Sequence, residues 1–209
     1  EAVGVPFNLC FGHMVMFLAI VLGALYAINN IAHPTLSGRL RKSLLRSFVL
    51  FLVALVLVLV QLLTMEGFAV DEAGVVTLEA GKYLNNFLQM PVVLVMFLLG
   101  AVLLVAGVVL TLLKPNYNKG IWLAGPGTVL AVIPLFLIAG YNGTSYYPSV
   151  ADLQSSLTLA NSCSSEFTLR TMAIVSLILP FVVAYIAYFW RKMNNRPLTS
   201  EELNENESY

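Results

Sequence analysis

Charge is what this sequence has least of. Asp, Glu, Lys and Arg make up 11% of the residues, against roughly 25% in a soluble domain. A chain whose residues are 59% hydrophobic cannot cover itself with so few charges in water, which excludes the soluble globular class. Histidine is scarce too, with only His13 and His33. They stand twenty residues apart, roughly 30 Å if one helical segment joins them, so the two cannot ligate one metal. A self-contained bis-histidine haem is excluded, and the seven Met have no spacing that selects a partner. Each His reads as a polar group at a helix end. The two cysteines, Cys10 and Cys163, fit no metal or redox motif. They either pair in an oxidising compartment or remain as small apolar residues. No phosphate loop, dinucleotide fingerprint or intramembrane carboxylate pair is present, and nothing points to nucleic acid. Catalytic, cofactor-binding and metal-ligating residues are therefore all expected to be none.

What the chain has is apolar runs. A membrane-spanning helix needs about 20 mainly apolar residues. Five segments meet or approach this: Phe11–Ile28, Phe48–Thr64, Pro91–Leu113, Ile121–Gly140 and Met172–Trp190. None contains Asp, Glu, Lys or Arg. A membrane barrel would alternate polar and apolar residues. "FVLFLVALVLVLV" does not alternate, and a helix satisfies its own backbone as hydrocarbon demands. The expected fold is an all-α integral membrane protein of five transmembrane helices, a four-helix bundle plus one peripheral helix. It spans residues 1–190, with residues 191–209 as a cytoplasmic tail.

The charges sort by side. Arg39, Arg41, Lys42, Arg46, Lys114, Lys119, Arg191, Lys192 and Arg196 fall between or after spans on one side, and only Lys82 and Arg170 on the other. Lys and Arg accumulate in cytoplasmic loops. The start is thus expected outside, the "SGRLRKSLLR" loop inside and the C-terminus inside. Glu66, Asp71, Glu72 and Glu79 then lie in an outer loop. In the acidic tail, Pro197 ends the fifth span and Thr199 with Glu202 makes a candidate capping box. The opening "EAVGVPFNLCFGHM" has no initiator Met and no basic leader, and reads as the later part of a longer protein.

Small residues and prolines predict packing. Ala19, Gly23 and Ala27 share one face of span one, and Gly100 and Gly107 one face of span three, so both faces are expected to meet another helix closely. Gly125, Pro126 and Gly127 predict an irregular first half for span four, which Pro134 bends again. Pro180 predicts a kink in span five.

Between spans four and five lies "SYYPSVADLQSSLTLANSCSSEFTLRTM", unusually rich in hydroxyls for so apolar a chain. Its Ser and Thr side chains suit turns and helix starts. Ser164 or Ser165 is expected to cap span five, with Glu166 favoured at the positive helix end and paired to Arg170 four residues on. Leu153, Leu157, Leu159 and Phe167 predict that the segment packs as a folded outer cover. Tyr141, Tyr146 and Tyr147 suit the interfacial aromatic belt. Asn142-Gly-Thr144 matches a glycosylation sequon, a pattern that also arises by chance.

Read in series, "GVPFN" before span one, "GKYLNNFLQMP" before span three, Tyr147-Pro-Ser, Ser156-Leu-Thr158, Ser164-Ser165, Thr168-Leu169 and the ending "AYIAYFWRKMNNRPLTSEEL" resemble the C-terminal portion of subunit II of the cytochrome bd-type quinol oxidases. That resemblance implies a non-haem subunit of a heterodimer in the bacterial cytoplasmic membrane. Its partner, subunit I, would hold haems b and d, and the complex would oxidise quinol and reduce dioxygen to water. Subunit II would support assembly of the haem centres and help shape routes for oxygen and protons, in contact with lipid and quinone. The family's N-terminal helical half has no counterpart among these residues, so its polar proton-access and oxygen-access residues map to no position here. Two other classes fit the apolar pattern: half of a transporter or channel with span four as a broken helix, and an assembly factor that leaves the mature complex.

Overall fold

The computed structural model describes residues 5–31, 33–149 and 151–193. Five helices among them are long and apolar enough to cross a membrane. Helix α1 (Pro6–Asn30) and helix α2 (Pro34–Thr64) form one antiparallel hairpin. A short β-hairpin follows, β1 (Glu66–Val70) against β2 (Val76–Ala80), and then the amphipathic helix α3 (Lys82–Gln89). Helix α4 (Pro91–Leu113) and helix α5 (Ile121–Gly140) form the second long hairpin. The segment after α5 carries a 3-10 turn (Leu153–Ser155) and helix α6 (Leu159–Ser162) before helix α7 (Glu166–Ser176) and helix α8 (Leu179–Met193).

The two long hairpins share a core. Val21, Leu25 and Ile28 from α1 meet Leu44, Phe48, Phe51 and Val58 from α2, with Leu104 and Val108 from α4 and Ala124 from α5. Lipid is as apolar as these side chains, so the contacts stabilise through close packing and dispersion rather than through escape from water. Glycine sets the approach of α4 to α5. A Cβ on Gly107 would stand 2.5 Å from the Gly120 carbonyl oxygen and 2.8 Å from the Ala124 nitrogen. One on Gly127 would stand 2.6 Å from the Leu104 nitrogen. The face carrying Gly100 and Gly107 thus packs as the spacing predicts.

Three expectations change. The Ala19–Gly23 part of the α1 stripe is exposed, and a Cβ on Gly23 would meet nothing within 4 Å, so that face packs on no helix among the described residues. Spacing identifies a face but not its neighbour. Helix α5 is helical throughout from Ile121 to Gly140 with Pro126 and Pro134 inside it, rather than irregular in its first half. Gly127 there serves close packing, and a helix tolerates a proline when its surroundings absorb the lost bond. Finally, the basic "SGRLRKSLLR" segment is not a loop but the first turns of α2. At 31 residues and about 1.5 Å each, α2 is roughly 46 Å long and outruns a hydrocarbon layer of about 30 Å. The excess is the basic end. The same result places His33 at the N-cap of α2 rather than on α1's helix.

The fifth span is the peripheral one. It is divided between α7 and α8 around Leu177–Ile178, just before Pro180, where the sequence predicts a kink. No residue of either helix is buried. The Tyr26–Trp190 ring pair, 6.0 Å between centroids, joins the end of α8 to α1. Ser165 caps α7, accepting from the Thr168 amide at 3.3 Å, and Glu166 pairs with Arg170 at 2.8 Å. Residues 191–193, expected in the tail, continue α8, and Arg196, Pro197, Thr199, Glu202 and the rest of residues 194–209 lie outside the described residues.

Candidate functional site

The polar chemistry of the molecule is gathered at the two ends of the helices, and one end is a built cap. Outward groups of β1 pair with the chain after α5: the Val70 amide donates to the Gly143 carbonyl at 2.8 Å, and the Ser145 amide to the Phe68 carbonyl at 2.9 Å. Gln154 ties the far edge of β2. Its amide accepts from the Val76 nitrogen at 3.0 Å and donates to the Val76 carbonyl at 2.9 Å, standing in for a neighbouring strand. Asn142 and Gly143 turn the chain in the left-handed region, with φ of 57° and 62°, a conformation that Gly adopts freely and Asn tolerates.

Asn86 locks this cap to the bundle. It is fully buried. Its Nδ2 donates to the Ile138 carbonyl at 2.7 Å and to Thr144 Oγ1 at 2.9 Å, and its Oδ1 accepts from Asn142 Nδ2 at 3.1 Å. The Ile138 carbonyl belongs to the last turn of α5, where helix geometry supplies no backbone donor, so α3 caps α5. Asn142 also donates to Gln89 Oε1 at 2.7 Å, and Thr144 is buried. The sequon's acceptor amide is thus engaged in the cap's own network, which argues against a glycan there. Burial raises the Tyr83 phenol above its ordinary range, opposed by its hydrogen bond to the Phe68 backbone.

The hydroxyl-rich segment extends the same cap. Ser145 Oγ donates to the Leu157 carbonyl at 2.8 Å, Ser156 Oγ accepts from the Ser149 amide at 2.9 Å, and Thr158 and Asn161 form a reciprocal capping box on α6. The side chains of Ser145 and Ser156 are buried. Their hydroxyls replace the ladder that an irregular backbone lacks. Of the apolar residues expected to hold this cover, Leu153 is half-buried, but Leu157, Leu159 and Phe167 are exposed, at 41%, 53% and 79%. Hydrogen bonding holds the segment, and those side chains remain on its surface, as do Tyr141, Tyr146 and Tyr147.

At the opposite end, Arg41 on α2 fastens the turn between α4 and α5. It donates to the carbonyls of Pro115 at 2.8 Å, Tyr117 at 3.3 Å and Lys114 at 3.4 Å, and to Asn118 Oδ1 at 3.0 Å. This bond set puts the α2 cations and Lys114 with Lys119 at one end, as the charge sorting predicts. Sequence alone marks Arg41 only as one of the sorted cations, and marks neither Asn86 nor Gln154. The period-two pattern of "GFAV" and "VVTLEA" around Asp-Glu-Ala-Gly is the signal from which the hairpin is readable.

Between the hairpins lies an apolar cavity of about 60 Å³, lined by residues including Met14, Leu18, Phe51, Phe97, Leu104 and Leu135. Its one hydroxyl, on Thr128, donates to the Ala124 carbonyl at 2.8 Å and is already satisfied. The pocket is partly open, and its almost wholly apolar lining suits a small apolar molecule better than water.

The two histidines stay apart. His13 Nδ1 lies 2.7 Å from the Leu9 carbonyl oxygen, near the start of α1, and His33 accepts from the Leu36 amide at 3.3 Å beyond the end of α1. About 25 Å of helix lies between His13 and Asn30 alone. His33 therefore serves a helix end, the start of α2, whereas His13 lies two turns inside α1 and bonds that helix's own backbone. Among the described residues no three His, Cys, Asp or Glu side chains gather as a metal site, and Cys10 and Cys163 are free thiols. The two histidines do not fit a haem that both of them would ligate.

The class that emerges is a multi-pass all-α membrane protein whose polar groups fasten helix ends to one another. The sequence pattern of one family, cytochrome bd terminal oxidase subunit II, matches residues 2–193, and the chain belongs to that family. It is 32% identical over 130 residues to cytochrome bd-I ubiquinol oxidase subunit 2 of Escherichia coli strain K12. The match to the same subunit from E. coli O157:H7 has the same identity. The alignment covers 61% of this chain and 33% of each relative, so the chain spans about a third of the length of these curated relatives.

Proposed function

We propose that this chain is part of the non-haem subunit of a cytochrome bd-type terminal oxidase, and that it stabilises a haem-bearing subunit I while that partner carries the redox centres. In the complex, haems b and d would supply electron transfer from quinol and reduction of dioxygen to water. This chain's own residues hold shape. Asn86 and Gln154 fix the outer cap, Arg41 fixes the opposite turn, and the glycines of α4 and α5 set the helix approach. The family match carries this reading, and the separation of the two histidines supports the placing of haem ligands elsewhere.

The apolar pocket between the hairpins supports passage or storage of an apolar gas over conduction of protons, which requires ionisable groups inside the membrane. The clustered cations support an orientation with the Arg41 end in the cytoplasm of a bacterial cell and the Asn86 cap outside. The competing transporter reading rested on a broken fourth helix, and α5 is unbroken. In the native host, removal of the gene encoding this chain is expected to abolish quinol-dependent oxygen uptake by the oxidase and to leave its haem absorbance bands missing from membranes. An unchanged spectrum with normal oxygen uptake would contradict the role, and absence of the chain from the purified, active complex would favour an assembly factor.

A further inference from the structure

We propose that the exposed face of α2 is a binding site for an anionic phospholipid. Arg39, Lys42 and Arg46 follow one another by three and four residues and so line one stripe of the helix. The same stripe continues through Val49, Val53, Leu57 and Val60, which are 51%, 56%, 49% and 56% exposed. The opposite face, with Leu44, Phe48, Phe51 and Val58, is buried in the bundle.

The cations on this stripe differ from their neighbour Arg41. That guanidinium is spent on the carbonyls of the α4–α5 turn, whereas Arg39, Lys42 and Arg46 are exposed and have no hydrogen-bond or ion-pair partner among the described residues. The six carboxylates of the described residues, Glu66, Asp71, Glu72, Glu79, Asp152 and Glu166, all belong to the opposite end, in the cap or at its junction with α7. Three cations without a partner among the described residues therefore sit where a headgroup phosphate lies, above a ribbon of apolar side chains. From Arg46 to Val60 the ribbon runs about 21 Å, deep into a hydrocarbon layer of about 30 Å. An anionic phospholipid matches both halves at once: its phosphate meets the cations and its acyl chain lies along the valines. An acidic soluble protein would match only the first half, and a zwitterionic lipid would bring its own cation to the cationic end.

The test uses the purified complex that contains this chain, stripped of lipid in detergent and titrated with phosphatidylglycerol or phosphatidylcholine, with bound lipid counted by native mass spectrometry. Phosphatidylglycerol is expected to be retained in preference to phosphatidylcholine. Arg39→Gln, Lys42→Gln and Arg46→Gln are each expected to weaken that retention about fivefold, the effect of about 1 kcal/mol per surface cation. Lys119→Gln, at the same end but off the stripe, is expected to leave it unchanged. Each single variant keeps the remaining cations of that end, so insertion does not hang on the substituted one. Equal retention by the three variants, or equal retention of both lipids, would overturn the proposal. So would a photoreactive residue at position 53 that labels only a protein subunit and no lipid.

Discussion

Replacing Gly100 by Val is expected to force α4 off α5 and to cost the complex about 3 kcal/mol, the upper part of the range for overpacking. A Cβ at position 100 would stand 2.7 Å from the Gly127 carbonyl oxygen and 2.7 Å from the Leu130 carbonyl carbon, and closer still to the Ala131 nitrogen. All three are backbone atoms of α5, and a helix backbone cannot swing aside as the end of a side chain can. The two helices must separate along the length where Gly107 and Gly127 also pack, so one substitution loosens the whole contact. Thermal unfolding of the purified complex in detergent checks this, followed by loss of haem absorbance. Gly23→Ala provides the contrast. A methyl group there meets nothing within 4 Å, so the midpoint is expected to stay or to rise slightly.

The second large effect is expected at Asn86. Asn86→Leu keeps the size of the side chain but withdraws two donated hydrogen bonds and one accepted one from a buried position. The Ile138 carbonyl and the Thr144 hydroxyl lose a donor, and Asn142 Nδ2 keeps only Gln89. Stranding buried polar groups costs about 1–3 kcal/mol each, and because partial rearrangement is open to Thr144, about 3 kcal/mol in all is expected. The damage should be local first. Amide hydrogen exchange is expected to accelerate across residues 141–162 before the long helices respond. Asn86→Asp separates hydrogen bonding from shape. As a carboxylate it still accepts from Asn142 but offers nothing to the Ile138 carbonyl, so it is destabilised at neutral pH. The buried carboxyl is raised above the unfolded value, since only its protonated form donates. Its penalty is therefore expected to shrink as pH falls through that raised value. Unchanged exchange in both variants would show that the cap is held by other groups.

The architecture is open to a reader of the sequence because lipid simplifies the code. A helix that must satisfy its own backbone across hydrocarbon needs a long apolar run, and such runs as Pro91–Leu113 are visible by inspection. The Pro180 break, the Ser165 cap and the Glu166–Arg170 pair depend on neighbours within four residues, and those too are written locally. What stayed hidden depends on partners far along the chain. The basic turns of α2 look like a loop to hydropathy, although their cations lie on a helical face. The hairpin of β1 and β2 gains its third edge from residues 143–145, more than sixty positions later. Asn86 sits in an unremarkable amphipathic helix, and only its depth beneath residues 138–144 reveals its role. The Ala19–Gly23 face and the exposed leucines of the hydroxyl-rich segment show the converse error: a pattern suited to packing does not say whether its partner is in this chain. As for the site, scarcity of histidine carried the main point. His13 and His33 cannot meet, whichever helix holds the second.

The central claim is that this chain shapes the oxidase and ligates no haem within it. The most direct measurement is the haem content and reduced-minus-oxidised absorbance spectrum of the purified complex carrying His13→Ala together with His33→Ala. Haem content per complex and all haem bands are expected to match the unmodified complex, with at most a small loss of thermal stability from the missing α2 cap. Loss of one haem equivalent, or a shifted band in a complex that remains assembled, would contradict the account.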